Sequence, residues 1–146
     1  MKKKSMFLLI VLSIALCGPV GAKDVLINES LNENIAQRTL LYFKALQDGD
    51  INTIKQFLSH DIYYKNRALL EQNKSYSEFL RNYYKNIVFK VKKIVANNNF
   101  YIVHVAMQSA NGKQSIIHLR LQPSMDNFDN VESWKIEDLI EDFLKE

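Results

Sequence analysis

The stretch NNFYIVHVAMQSANGKQSIIHLRLQP, Asn98 to Pro123, decides the fold. Apolar and polar residues alternate on both sides of Ala110-Asn111-Gly112-Lys113. Alternating runs flanking an Asn-Gly pair are the clearest short-range mark of a β-hairpin. The stretch also holds His104 and His118, two of the chain's three histidines.

The length of the turn fixes which side chains meet. A two-residue Asn111-Gly112 loop sets His104 opposite Leu119 and His118 opposite Val105, on different faces of the sheet. A three-residue Ala110-Asn111-Gly112 loop, with Gly112 in the left-handed position, sets His104 opposite His118. In this second register Tyr101, Val103, Val105, Met107, Ile117, Leu119 and Leu121 share one face. Phe100, Ile102, His104, Ala106, Gln108, Gln114, Ile116, His118 and Arg120 share the other. The first register mixes His118 and Arg120 with Val103 and Val105. Burying unpaired polar groups costs a few kcal/mol, about 2–7, and a one-residue slip flips a whole strand. The three-residue loop is favoured.

The N-terminus reads as an export signal. Lys2, Lys3 and Lys4 form a basic start, Met6 to Leu16 is apolar, and Gly18-Pro19 breaks a helix. Val20-Gly21-Ala22 supplies small or compact residues for cleavage between Ala22 and Lys23. Residues 1–22 are thus expected to be a signal peptide and 23–29 a linker, with residues 30–146 a single domain. An uncleaved anchor is the rival, although the apolar run is about half of the roughly 20 residues a spanning helix needs. A lipid-bearing Cys17 is disfavoured by the bulky Leu16 before it.

Charge follows from this division. Three of the nineteen lysines and arginines are Lys2, Lys3 and Lys4, which leaves sixteen cations against sixteen carboxylates after residue 22. A balanced domain has no electrostatic case for nucleic acid. The only cysteine, Cys17, lies in the signal, so the exported domain would have no disulfide, thiol nucleophile or cysteine metal site.

Along the chain, Ser30 to Glu33 fits a capping box opening a helix to about Gln47. Ile35, Ala36, Leu40, Phe43 and Leu46 form its apolar face. Gly49 suits a helix end and Asp50 can cap a second helix, Ile51 to Leu58. Ile62 to Lys65 reads as a short strand and Asn66 to Lys74 as irregular. A second capping box at Ser75 to Glu78 opens a third helix bearing Phe79, Leu80, Tyr83, Tyr84 and Ile87. From Phe89 the period becomes two, with Phe89, Val91, Lys93 and Val95 on one side. Ser133 to Leu139 is a last strand before an acidic tail, read as a short helix. Helices followed by antiparallel strands predict an α+β fold, with N-terminal helices packed on a curved, mainly antiparallel sheet.

Three pieces resemble the nuclear transport factor 2-like superfamily, which includes SnoaL-like and cystatin-like relatives. Leu41 to Asp50 followed by Phe57-Leu58-Ser59 resembles its opening helix pair. The long hairpin resembles its middle strands, and Ser133 to Asp138 its last one. The resemblance implies a cone of curved sheet around helices, and a cystatin-like sheet over one helix is the nearest rival. It also implies that an enzyme would place a carboxylate and a histidine or tyrosine inside the cone, and that similar folds serve as periplasmic assembly domains.

Candidate site residues follow. Asp61 is the one carboxylate placed near a cavity mouth, and is more readily a turn residue. Tyr63, Tyr64, Tyr83, Tyr84 and Trp134 could wall an apolar pocket with hydrogen-bonding tips. His104, His118 and Arg120 would form a sheet-face patch. Two histidines fall short of the three or four ligands zinc takes, so no metal and no cofactor are expected. Asp126 to Asn130 carries oxygen ligands without the spacing of a calcium loop. The expectation is an exported, periplasmic or secreted, non-catalytic domain. It would bind a small apolar ligand or a partner protein, with a homodimer through the sheet face as one form and membrane contact only through an uncleaved signal. The alternatives are a small pocket enzyme of acid–base lyase, isomerase or hydrolase type, and a periplasmic assembly domain.

Overall fold

The structure, a computed structural model, describes residues 20–97, 99–123 and 133–143. The chain forms two compact units, Met1–Leu31 and Asn32–Glu146. The expected signal lies mostly outside the described residues, as does the oxygen-rich loop at Asp126 to Asn130. The elements are α1 (Val20–Asp48), α2 (Ile51–Phe57), α3 (His60–Lys65), a single π turn (Ala68–Gln72) and α4 (Tyr76–Tyr83). Four strands follow: β1 (Val88–Asn97), β2 (Phe100–Gln108), β3 (Gln114–Gln122) and β4 (Lys135–Phe143). The class is α+β, and the sheet is an open antiparallel meander in the order β1-β2-β3-β4.

The second strand pairs with the third through the three-residue loop. Val103 lies opposite Leu119, Val105 opposite Ile117 and His104 opposite His118. Gly112 takes φ of 83° at the loop, and Ser109 donates its backbone N–H to the Lys113 carbonyl to close it. Val103, Val105, Ile117, Leu119 and Leu121 are all buried, so the apolar alternation selects the core face.

Two bulges break the simple period of two. In β1 an extra residue at Lys92 shifts the register between Val91 and Lys93. Phe89, Val91 and Ile94 therefore share a face, whereas Lys93 and Val95, expected beside Phe89, pair with His104 and Ile102 on the other. A bulge inserts one residue and reverses the alternation beyond it. In β4 the shift falls between Leu121, opposite Ile136, and Arg120, opposite Asp138.

Six local expectations are corrected. The expected linker at 23–29 and the expected cap at Ser30 lie inside α1, because no glycine or proline interrupts the chain between Ala22 and Gly49. Ile62 to Lys65 is the body of α3, not a strand. The Ser59 hydroxyl accepts the Ile62 N–H at 3.3 Å and nucleates a helix, which Asn66 ends by donating its side-chain amide to the Ile62 carbonyl. Within Asn66 to Lys74, residues 68–72 form the π turn. Ser75 makes no side-chain cap; the Ser77 hydroxyl instead donates to the Gly49 carbonyl at 2.6 Å. The tail read as a helix continues β4 to Phe143.

The end of α1 is made as expected. Gly49 takes φ of 64°; its N–H donates to the Leu46 carbonyl and the Asp50 N–H to that of Ala45, a Schellman closure. The Asp50 carboxylate accepts the Thr53 hydroxyl at 2.6 Å and the Thr53 N–H at 3.1 Å, which holds its pKa below the usual carboxylate range.

The buried face of α1 is Ile35, Thr39, Tyr42, Phe43, Ala45 and Leu46. Thr39 is tolerated there because its hydroxyl donates to the Ile35 carbonyl at 2.8 Å. Leu40, expected inward, is 39% exposed. Phe43 packs on the sheet by stacking on Phe89, ring centroids 4.2 Å apart. The sheet meets the second and third helices at Ile136, whose carbonyl accepts the Ser59 N–H at 3.0 Å. Glu71 draws this end together, accepting from Tyr63 and from Arg67 at 3.0 Å and facing Lys55 at 3.7 Å.

Candidate binding groove

The five aromatic residues proposed from sequence as pocket walls do not converge. Tyr64 and Tyr83 are exposed. Tyr63 spends its hydroxyl on Glu71, which with burial raises its pKa. Trp134 is a core residue, buried and packed 4.7 Å from the Tyr101 ring. Tyr84 alone comes near a concavity, its ring 5.9 Å from Phe89. Asp61 sits exposed on the first turn of α3 and lines neither the groove described below nor a second concavity bounded by Arg38, Gln56, Phe57 and Lys135. Helix start chemistry accounts for its place, since a carboxylate favours the first turn.

The histidines do meet. The rings of His104 and His118 stand edge to face, centroids 4.6 Å apart. Arg120 lies on the same face, its guanidinium over the Phe100 ring at 4.1 Å from the centroid, and Asp138 lies opposite it on β4. Among the described residues no three histidine, cysteine or acidic side chains converge as metal ligands. Partial burial, then His118 and then Lys93, lower the pKa of His104. A lowered imidazole pKa means that any stability linked to it holds while the ring is neutral and fades as pH falls through the ordinary histidine range. Replacing His118 by glutamine is expected to raise the His104 pKa in a proton NMR titration, and Lys93→Met to raise it less. An unchanged His104 titration in both variants would show that the neighbours do not act on it.

A concavity lies instead between the first helix and the first strand, lined by Gln37, Leu40, Leu41, Phe43, Lys44, Gln47 and Phe89. Its volume is about 490 Å³, within the range that holds a small organic ligand, roughly 300–1,000 Å³. The stacked rings of Phe43 and Phe89 belong to its lining, together with Leu40 and the 60% exposed Leu41. Gln47 is fixed, its amide donating to the Ile87 carbonyl at 2.7 Å and to that of Tyr84 at 3.4 Å. Lys44 is tied to Asp48 at 2.6 Å. The positive φ of Asn86, 64°, turns the chain between these two carbonyls, a conformation asparagine tolerates better than most residues.

Helical spacing places Leu40 and Phe43 in the core, and no motif in the neighbouring residues marks Leu41 or Phe89 for a site. The available signal was the Leu40-Leu41 pair. Neighbours on a helix diverge by about a quarter turn, so an apolar stripe wide enough to hold both, with Phe43, exceeds what one core contact covers.

Among the described residues no helix is long and apolar enough to cross a membrane. Comparison with known protein families, with curated proteins and with solved structures finds no match to this chain.

Proposed function

We propose that this protein is an exported, non-catalytic binding domain that takes a small apolar ligand in the groove between α1 and β1. The observation that carries the proposal is the groove's lining, with leucine and stacked phenylalanine walls and polar groups confined to glutamines and an ion-paired lysine. Such a site gains from the removal of apolar surface from water, about 25 cal/mol per Å², while a few polar tips orient the occupant. The basic-then-apolar start of the chain and the small residues before Lys23 support export, with cleavage after Ala22. The α+β order and the hairpin are compatible with a nuclear transport factor 2-like cone, and that assignment belongs to the same proposal.

A fluorescent apolar probe, N-phenyl-1-naphthylamine, tests the reading. The protein is expected to enhance its emission saturably, and Leu41→Asp is expected to weaken binding at least about tenfold, a difference of roughly 1.4 kcal/mol. Because Leu41 is largely exposed, the melting temperature should stay nearly constant. No saturable enhancement, or equal affinity in the variant, would overturn the assignment.

A further inference from the structure

The strand order β1-β2-β3-β4 leaves the first strand at one edge of the sheet. The opposite edge is partly closed, because Leu58 bridges Ile136 and the Ser59 N–H donates to the Ile136 carbonyl. Among the described residues β1 pairs with no strand besides β2. The groove between α1 and β1 opens beside this edge, and Phe89 is the strand's part of its lining. We infer that β1 takes an extended peptide segment as a fifth strand, one that alternates apolar with acidic side chains. The inference rests on the groove being a binding site, and it gives that site's apolar occupant as the side chains of a peptide.

The alternation follows from what borders each face of the edge. Side chains of an added strand point to the two faces in turn, each beside a side chain of β1. On the helix side they would stand beside Phe89, against Leu40, Leu41 and Phe43 in the groove. On the outer side they would stand beside Lys90, with Lys92 and Lys93 just beyond, all three exposed. Among the described residues none of these lysines is held in an ion pair. Carboxylates on the added strand would supply the counter-charge.

A ten-residue edge strand is a template for pairing with another chain. Lysines and a bulge are the usual guards of such an edge, and β1 carries both. Here the guards also choose a partner. A second copy pairing β1 to β1 would set lysine against lysine, which is destabilising across a strand pair. Backbone pairing falls to Val88–Val91, ahead of the bulge and beside the groove. The entry to that stretch is held in place, since Gln47 donates to the Ile87 carbonyl at 2.7 Å. A preformed edge needs little ordering on binding. Main-chain bonds then give affinity, and the alternating side chains give selectivity.

Fluorescence polarisation tests this with the purified protein and a labelled peptide in which glutamate alternates with leucine and valine. Saturable binding is expected. The same peptide with lysine for glutamate should bind at least about tenfold more weakly, roughly 1.4 kcal/mol. Lys90→Glu should weaken the acidic peptide by a similar factor, and Lys113→Glu, at the exposed hairpin tip, should leave it unchanged. Hydrogen exchange followed by NMR should show β1 amides slowing when the peptide is added, because strand addition pairs backbone that was open to solvent. No binding, equal binding of the two peptides, an unaffected Lys90→Glu, or unslowed β1 amides overturns the inference. N-phenyl-1-naphthylamine separates it from the small-ligand reading. Binding of that probe without the peptide removes the fifth strand and leaves the groove, and binding of neither removes both.

Discussion

Trp134→Ala is expected to destabilise the protein by about 3–5 kcal/mol, the usual cost of truncating a large buried aromatic. The side chain is 2% exposed and lies against Tyr101 on the core face of the sheet. Its loss leaves a cavity beside Tyr101, and it loosens the carbonyl that fixes Arg38. The melting temperature, followed by far-ultraviolet circular dichroism, should fall by roughly 10–20 °C. Trp134→Phe should recover much of the loss because it refills most of the volume. A tryptophan serving as a ligand wall would behave differently, with probe binding lost and the melting temperature nearly unchanged. That second outcome would overturn its placement in the core.

Gly49→Ala is the other large effect, expected at about 2–4 kcal/mol from left-handed strain and steric overlap together. A β-carbon at Gly49 would stand 2.3 Å from the Ser77 backbone oxygen and 2.8 Å from its hydroxyl oxygen. Backbone cannot step aside as a flexible side chain can. Gly112 provides the comparison, because it too has a positive φ but nothing lies within 4 Å of its virtual β-carbon. Gly112→Ala should therefore cost only the conformational part, about 1 kcal/mol. Urea unfolding of both variants separates the terms. Equal losses would mean that the close approach of α4 to the end of α1 contributes nothing.

Features written in neighbouring residues were legible in the sequence. Asn111-Gly112 and its flanking alternation carried the hairpin, its register and the meeting of His104 with His118. Gly49-Asp50 carried one helix end and the next helix start. The failures arise where a single atom or a distant partner decides. The Ser59 hydroxyl turns Ile62 to Lys65 into a helix, although Ile62, Tyr63 and Tyr64 are residue types that favour strands. One inserted residue at Lys92 sends Lys93 and Val95 to the outer face, and no local pattern marks a bulge in a run of lysines. The groove between the first helix and the first strand was hidden because Leu40 and Phe43 satisfy a core pattern as well as they satisfy a groove. A second concavity, lined by Arg38, Gln56, Phe57 and Lys135, joins residues 97 apart, and only the folded chain brings them together.

The bonds from Arg38 to Trp134 span 96 residues, and Ser59 reaches Ile136, far along the chain as well. The other strand pairings join sequence neighbours and can zip up locally at small loop-closure cost. The last strand therefore acts as the keystone of folding. Without it, β3 is an unpaired edge, Ser59 lacks its acceptor, and the helices have no fourth strand to close against. A chain built this way reaches its final form only once β4 has joined the sheet.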